Sequence, residues 1–196
     1  HQTAGTLKLT YQTKWNVSAG LEAGAEKFWT IRTNPVVGAV VNGNFLGRLY
    51  PQLSYRYETY INRIQSIVDN IRGHRFQAAL YAEPLPWLIT SAAFTYHILS
   101  DDNEGLSVYS GAWYVPFKKP VMLKLGVTFT YEDFQRINIG SMPYFTPDQV
   151  AVIAPGFDVG YWFLHNLYAE AGYSLAIMIG GGLLHNPRAL VKWEIT

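Results

Sequence analysis

Val121-Met122-Leu123-Lys124-Leu125-Gly126-Val127-Thr128-Phe129-Thr130-Tyr131-Glu132 decides how this chain folds. Every second residue from Val121 to Tyr131 is apolar, while Lys124, Gly126, Thr128, Thr130 and Glu132 are small, polar or charged. A period of two puts alternate side chains on opposite faces of an extended strand, and an amphipathic helix repeats at 3.6 instead. The pattern continues on the C-terminal side. Ala151, Ile153, Pro155, Phe157, Val159, Tyr161 and Phe163 stand against Val152, Ala154, Gly156, Asp158, Gly160 and Trp162. Leu167, Ala169, Ala171, Tyr173, Leu175 and Ile177 stand against Tyr168, Glu170, Gly172, Ser174 and Ala176, and Ala189, Val191, Trp193 and Ile195 against Lys192 and Glu194. On the N-terminal side, Leu7, Leu9, Tyr11, Trp15 and Val17 oppose Lys8, Thr10, Gln12 and Lys14. Phe45, Gly47, Leu49, Leu53, Tyr55 and Tyr57 oppose Arg48, Gln52, Ser54, Arg56 and Glu58.

This periodicity predicts about ten strands, near 6–16, 18–30, 44–58, 74–84, 87–99, 105–116, 119–132, 149–163, 166–178 and 187–196. The segment 31–43, with Val36, Val37, Val40 and Val41, reads either as a long turn or as two further short strands, which would make twelve. The segment 60–72 alone has helical spacing, through Ile61, Ile64, Ile67, Val68 and Ile71. It reads as a short helix or structured loop, with a hydrophobic continuation of the strands as the alternative. Connections alternate between short (84–86, 117–119, 164–166) and long (61–73, 100–105, 132–148, 179–186). An up-and-down arrangement with two unequal rims has this rhythm.

Length and composition narrow the class. The 196 residues form one domain, 1–196. Fifteen basic against 14 acidic residues leave +1, without the electrostatic footprint of a nucleic-acid binder. With no cysteine there are no disulfides, thiolate metal sites or cysteine nucleophiles. Aromatics make up 15% of the chain, yet mean hydropathy is near zero at +0.02, so apolar residues are interleaved with polar ones. No secretory signal begins at His1, so it is absent, removed or lost with a longer chain. Residues 171–187 carry no Asp, Glu, Lys or Arg, but Gly180, Gly181 and Gly182 interrupt them, which argues against a transmembrane helix.

Alternation alone does not say which face is inside, because a soluble lipocalin-like barrel alternates as well. Three features favour a membrane barrel. Several strands reach ten residues or more, the length a tilted strand needs to cross a bilayer. Aromatics gather beside the short turns: Trp87, Trp113, Tyr114, Phe117, Tyr161, Trp162, Phe163 and Tyr168. The polar register is rich in Gly, Ala, Ser and Thr, which suits a narrow lumen better than a solvated surface. The expected fold is therefore all-β, an antiparallel up-and-down transmembrane β-barrel. Its short turns would be periplasmic and its longer loops extracellular, with Trp87, Tyr114, Phe117, Tyr161, Phe163 and Trp193 at the membrane interface.

On this pattern the chain resembles Gram-negative outer-membrane β-barrels over nearly its whole length. Val191, Trp193 and Ile195 resemble the C-terminal assembly signal of such barrels, which usually ends on an aromatic where this chain has Thr196; the chain is clipped there or the signal is atypical. Tyr144-Phe145-Thr146-Pro147 is similar to an aromatic-Ser/Thr-Pro element in the barrel domains of tetratricopeptide-linked exopolysaccharide exporters. The resemblance implies an outer-membrane location, lipid as the immediate partner, and other envelope proteins or an upstream domain as further partners.

The polar register supplies the candidate lumen residues Lys8, Lys14, Glu22, Glu26, Arg48, Arg56, Glu58, His97, Lys124, Glu132, Asp158, Glu170, Lys192 and Glu194. Opposite charges in a narrow, partly dry lumen should pair, because an unpaired buried charge is expensive. Such pairs act either as a constriction that filters solutes or as a filling that closes the barrel. The leading expectation is a small porin-like channel or translocation pore, its solute, small or polysaccharide, left open. A closed barrel anchoring a partner, such as a polysaccharide-export assembly, comes second. A rim hydrolase using His97 with Asp101 and Asp102 comes third, since their spacing matches no catalytic motif. His165 and His185 read as turn residues, and Ser110 and Ser174 lack a nearby base. Gly180-Gly181-Gly182 lacks the Lys-Ser/Thr of a phosphate loop, and 101–105 lacks the spacing of a calcium loop. No metal, cofactor or nucleic-acid partner is expected.

Overall fold

The alternating segments form strands in a computed structural model, which describes residues 2–28, 32–60, 70–135, 149–164 and 167–193. The strands are β1 (Gln2–Gln12), β2 (Val17–Phe28), β3 (Arg32–Gly43), β4 (Leu49–Thr59), β5 (Arg72–Leu85) and β6 (Leu88–Leu99). They continue with β7 (Glu104–Phe117), β8 (Val121–Phe134), β9 (Val150–Leu164), β10 (Leu167–Met178) and β11 (Leu183–Trp193). They join in one sheet in strict sequence order, with β1 and β11 as its described edges. Antiparallel registers set Lys8 opposite Glu22, Glu22 opposite Gly38, and Gly38 opposite Arg56. At the other edge Asp158 stands opposite Gly172, and Gly172 opposite Arg188. No helix occurs among the described residues.

Among the described residues there are eleven strands where ten or twelve were expected, because the segment 31–43 contributes a single strand. Its valines come in adjacent pairs, so each face receives one of each pair and the alternation is masked. Val36 is completely covered, whereas Val37 is exposed. β3 nonetheless pairs with β2 along its whole length, from Val17 opposite Gly43 to Phe28 opposite Arg32.

Strand boundaries also move: β1 begins at Gln2 and β11 at Leu183, each four residues early, and two other ends retreat. The expected strand 6–16 stops at Gln12, because Thr13 Oγ1 accepts the backbone N–H groups of Trp15 (3.2 Å) and Val17 (3.3 Å) and Asn16 turns at positive φ. The expected strand 44–58 begins only at Leu49, since Leu46 and Gly47 both adopt positive φ. The stretch 171–187 is a β10–β11 hairpin whose turn runs through Gly180, Gly181 and Gly182, with φ of 107°, 117° and 116°. Side chains rarely tolerate that conformation, which is why three glycines stand there. The helix-or-loop segment lies mostly outside the described residues, at 61–69, as does the Tyr144–Pro147 element.

The two faces differ in the direction opposite to that of a soluble barrel. Val121, Leu125 and Val127 on β8 and Ile153, Phe157, Val159, Tyr161 and Phe163 on β9 are exposed. Glu26 and Asp158, from the polar register, are buried. Buried apolar residues are few, and the one cluster described joins Ile71, Leu99 and Phe134, with Tyr60 packed against it. Contacts divide the chain into two compact units, 1–80 with 93–108 and 132–149, and 81–92 with 109–131 and 150–196.

Candidate functional site

In the first unit, period two aligns Glu22 and Glu26 on one face of β2 and Arg56 and Glu58 on the same face of β4. Arg56 binds three carboxylates: Glu58 at 2.9 Å, Glu22 at 3.4 Å and Glu26 at 3.9 Å. Arg75 of β5 binds Glu58 at 3.1 Å. Gly38 of β3 stands in register between Glu22 and Arg56, so β3 raises no side chain between them. Lys8, Glu22, Ser54, Arg56 and Arg75 line a hollow of about 220 Å³. The guanidinium groups are only half-buried, so single pairs contribute modestly and the strength lies in the network.

His97 lies elsewhere on this face. Its ring meets Tyr60 edge-on at 5.6 Å and stacks on Phe134 at 6.2 Å. With Glu58, Arg75 and Leu99 it lines a second hollow, of about 250 Å³. Among the described residues no three His, Asp or Glu side chains converge as metal ligands would.

The second unit is organised around Asp158, only 2 % exposed. Arg188 donates to its Oδ1 from Nε at 2.6 Å and makes a second contact from Nη2, while Lys124 Nζ stands 3.7 Å from Oδ2. Arg188 lies two strands away, and Gly172 is what lets it reach. A Cβ at Gly172 would collide with the Asp158 carboxylate. Lys124 also sits 4.7 Å over the Trp113 ring, and Lys119 4.8 Å over Trp162. Tyr168 packs on Trp162 at 4.7 Å and donates to Glu170 at 2.6 Å.

The structure thus brings together Lys8, Glu22, Glu26, Arg56 and Glu58 in one unit and Lys124, Asp158 and Glu170 on one face of the other. Glu132 is half-buried near the end of β8, and Lys192 is exposed on β11 opposite Tyr168. Two candidates leave the wall. Lys14 lies in the 13–16 turn with its ammonium 5.4 Å from the Trp15 ring, and Arg48 lies exposed in the 44–48 turn, both because the strands end earlier than expected. Glu194 lies outside the described residues.

Arg75 and Arg188 belong to the clusters and were not among the expected lumen residues. Their signal was available, since Arg75 shares its parity with Gln77 and Arg188 with Lys192. The expected interface aromatics Trp87, Tyr114, Phe117, Tyr161, Phe163 and Trp193 are exposed. Trp113, Trp162 and Tyr168 instead lie on the polar face. Period two requires this, since Trp113 adjoins Tyr114 and Trp162 falls between Tyr161 and Phe163.

The sheet is an antiparallel meander in which β1 and β11 do not pair, so the closure expected of a barrel is not seen among the described residues, yet the strand order resembles that of solved outer-membrane proteins. A solved bacterial polysaccharide outer membrane secretin superposes with a TM-score of 0.78 at 13% identity, over 96% of this chain and 66% of its own. OmpTdeltaL8, a loop L8 deletion mutant of the Vibrio cholerae outer membrane protein OmpT, superposes with a TM-score of 0.63 at 10% identity, over 96% and 62%. The chain therefore spans about two thirds of the length of each. The resemblance read from the sequence, to outer-membrane barrels and to polysaccharide exporters among them, is matched by these two structures. No protein-family model matches the sequence, and no curated protein matches it significantly.

Proposed function

We propose that this chain forms the wall of an outer-membrane pore. In this reading the apolar register faces lipid, the polar register lines an aqueous path, and the Arg56 and Asp158 clusters select what passes. One observation carries it: on β9 the carboxylate of Asp158 is covered and ion-paired while its neighbour Val159 is exposed. The exposed Trp87, Tyr114, Phe117, Tyr161, Phe163 and Trp193 then sit at the headgroup level, with the short turns on the periplasmic side. The likeness to a polysaccharide secretin supports a hydrophilic glycan as the solute.

The test is conductance in planar bilayers. The wild-type chain should open discrete channels. Arg56→Gln leaves Glu22, Glu26 and Glu58 with only Lys8 and Arg75 as cations in that hollow, and should shift the cation-to-anion permeability ratio toward cations. Absence of conductance at any voltage defeats the pore. The second reading, a closed barrel anchoring an envelope assembly, would then stand, and what favours it is that both clusters largely neutralise themselves.

A further inference from the structure

We propose that the exposed face of β3 to β6 in the first unit binds one phosphate-bearing anionic lipid, acyl chain and headgroup together. The proposal rests on the outer-membrane reading and adds to it a specific lipid site. The apolar part is a groove of about 390 Å³ lined by Ala39, Val41, Leu53, Tyr55, Phe76 and Ala78. That volume lies within the range of small-molecule sites. Ala39 and Ala78 are small where their neighbours are bulky, so the wall is recessed there.

Beyond Tyr55, toward the end of β4 at Thr59, the side chains next to this groove change from apolar to cationic. Tyr55, whose ring packs 5.1 Å from Phe76, bonds through its hydroxyl to His74 Nδ1 at 2.9 Å. His74 packs 4.9 Å from Tyr57, and the Arg72 guanidinium lies 4.4 Å over the Tyr57 ring. Arg72 donates one Nη2 bond to the Pro35 carbonyl at 3.5 Å, while its buried Nε makes no hydrogen bond. Tyr55 belongs to both parts and makes them continuous. No acidic side chain lines the groove, and none is in the Tyr55, Tyr57, Arg72 and His74 cluster.

This combination fits an amphiphile with a phosphate anion better than a second copy of the chain. A copy packed face to face would cover the apolar recess but present to Arg72 the same acid-free groove. A guanidinium held over a ring, with one Nη2 bond to the Pro35 carbonyl, keeps donors for a charge-assisted bond to phosphate.

The chain folded in a non-ionic detergent is to be examined by native mass spectrometry with added dimyristoyl phosphatidylglycerol or dimyristoyl phosphatidylcholine. The expected result is one retained phosphatidylglycerol, preferred about tenfold over phosphatidylcholine, whose phosphate is already neutralised by its own choline cation; that ratio is what one charge-assisted hydrogen bond supports. Arg72→Gln should abolish the preference and Arg72→Lys should keep part of it. Ala78→Trp, which fills the recess, should weaken both lipids. Equal retention of the two lipids, or a preference indifferent to Arg72→Gln, overturns the proposal and leaves the outer-membrane reading intact. A lipid-independent dimer lost in Ala78→Trp overturns it in favour of a second copy. A chain that stays soluble and folded without detergent overturns both.

Discussion

Asp158 shows how a buried charge is kept on a strand that otherwise alternates without strain. Its carboxylate is covered, and two cations from different strands hold it. Arg188→Ala removes the closer one. A fully buried carboxylate that loses its partner costs about 3–5 kcal/mol. Lys124 remains and the guanidinium is half in water, so the expected loss is smaller, about 2 kcal/mol, read as a lower urea midpoint in detergent with an unchanged slope. Arg188→Lys should recover part of it. Lys124 and Asp158 could be placed on the polar face from parity alone. Arg188 has the parity for that face too, but its meeting with Asp158 was not legible, because it arrives through a gap at Gly172 that exists only once β10 lies between β9 and β11.

Strands differ in how openly they declare their two faces. β8 and β9 are legible because apolar residues keep one register for more than ten positions. β3 is not, because Val36-Val37 and Val40-Val41 place valine on both faces, and only pairing with β2 resolves it. The ends of β1 and β4 are equally local failures: Lys14 and Arg48 keep the parity of the strands before and after them but lie in turns. Val159 tests what the exposed face meets. It lies near the middle of β9 and is 45 % exposed. Val159→Arg should cost about 2–4 kcal/mol if that face contacts hydrocarbon, whereas a surface substitution in water stays within about 0.5 kcal/mol. Unfolding from lipid vesicles measures the difference.

For the chain as a unit, the outer-membrane reading makes a prediction independent of any pore. If the sheet closes into a barrel in lipid, as that reading has it, the folded form should resist dodecyl sulfate, so unboiled protein should migrate differently from boiled protein on a denaturing gel. Identical migration, with solubility in the absence of detergent, counts against the reading. The β-class, the meander and most of the polar register were legible from the order of residues, because alternation is a property of one extended backbone and needs no neighbour. That β3 is a single strand and which ions meet are different in kind. They depend on pairing between segments distant in sequence, as when Gly38 stands between Glu22 and Arg56 or Gly172 between Asp158 and Arg188. A period of two carries no record of that register.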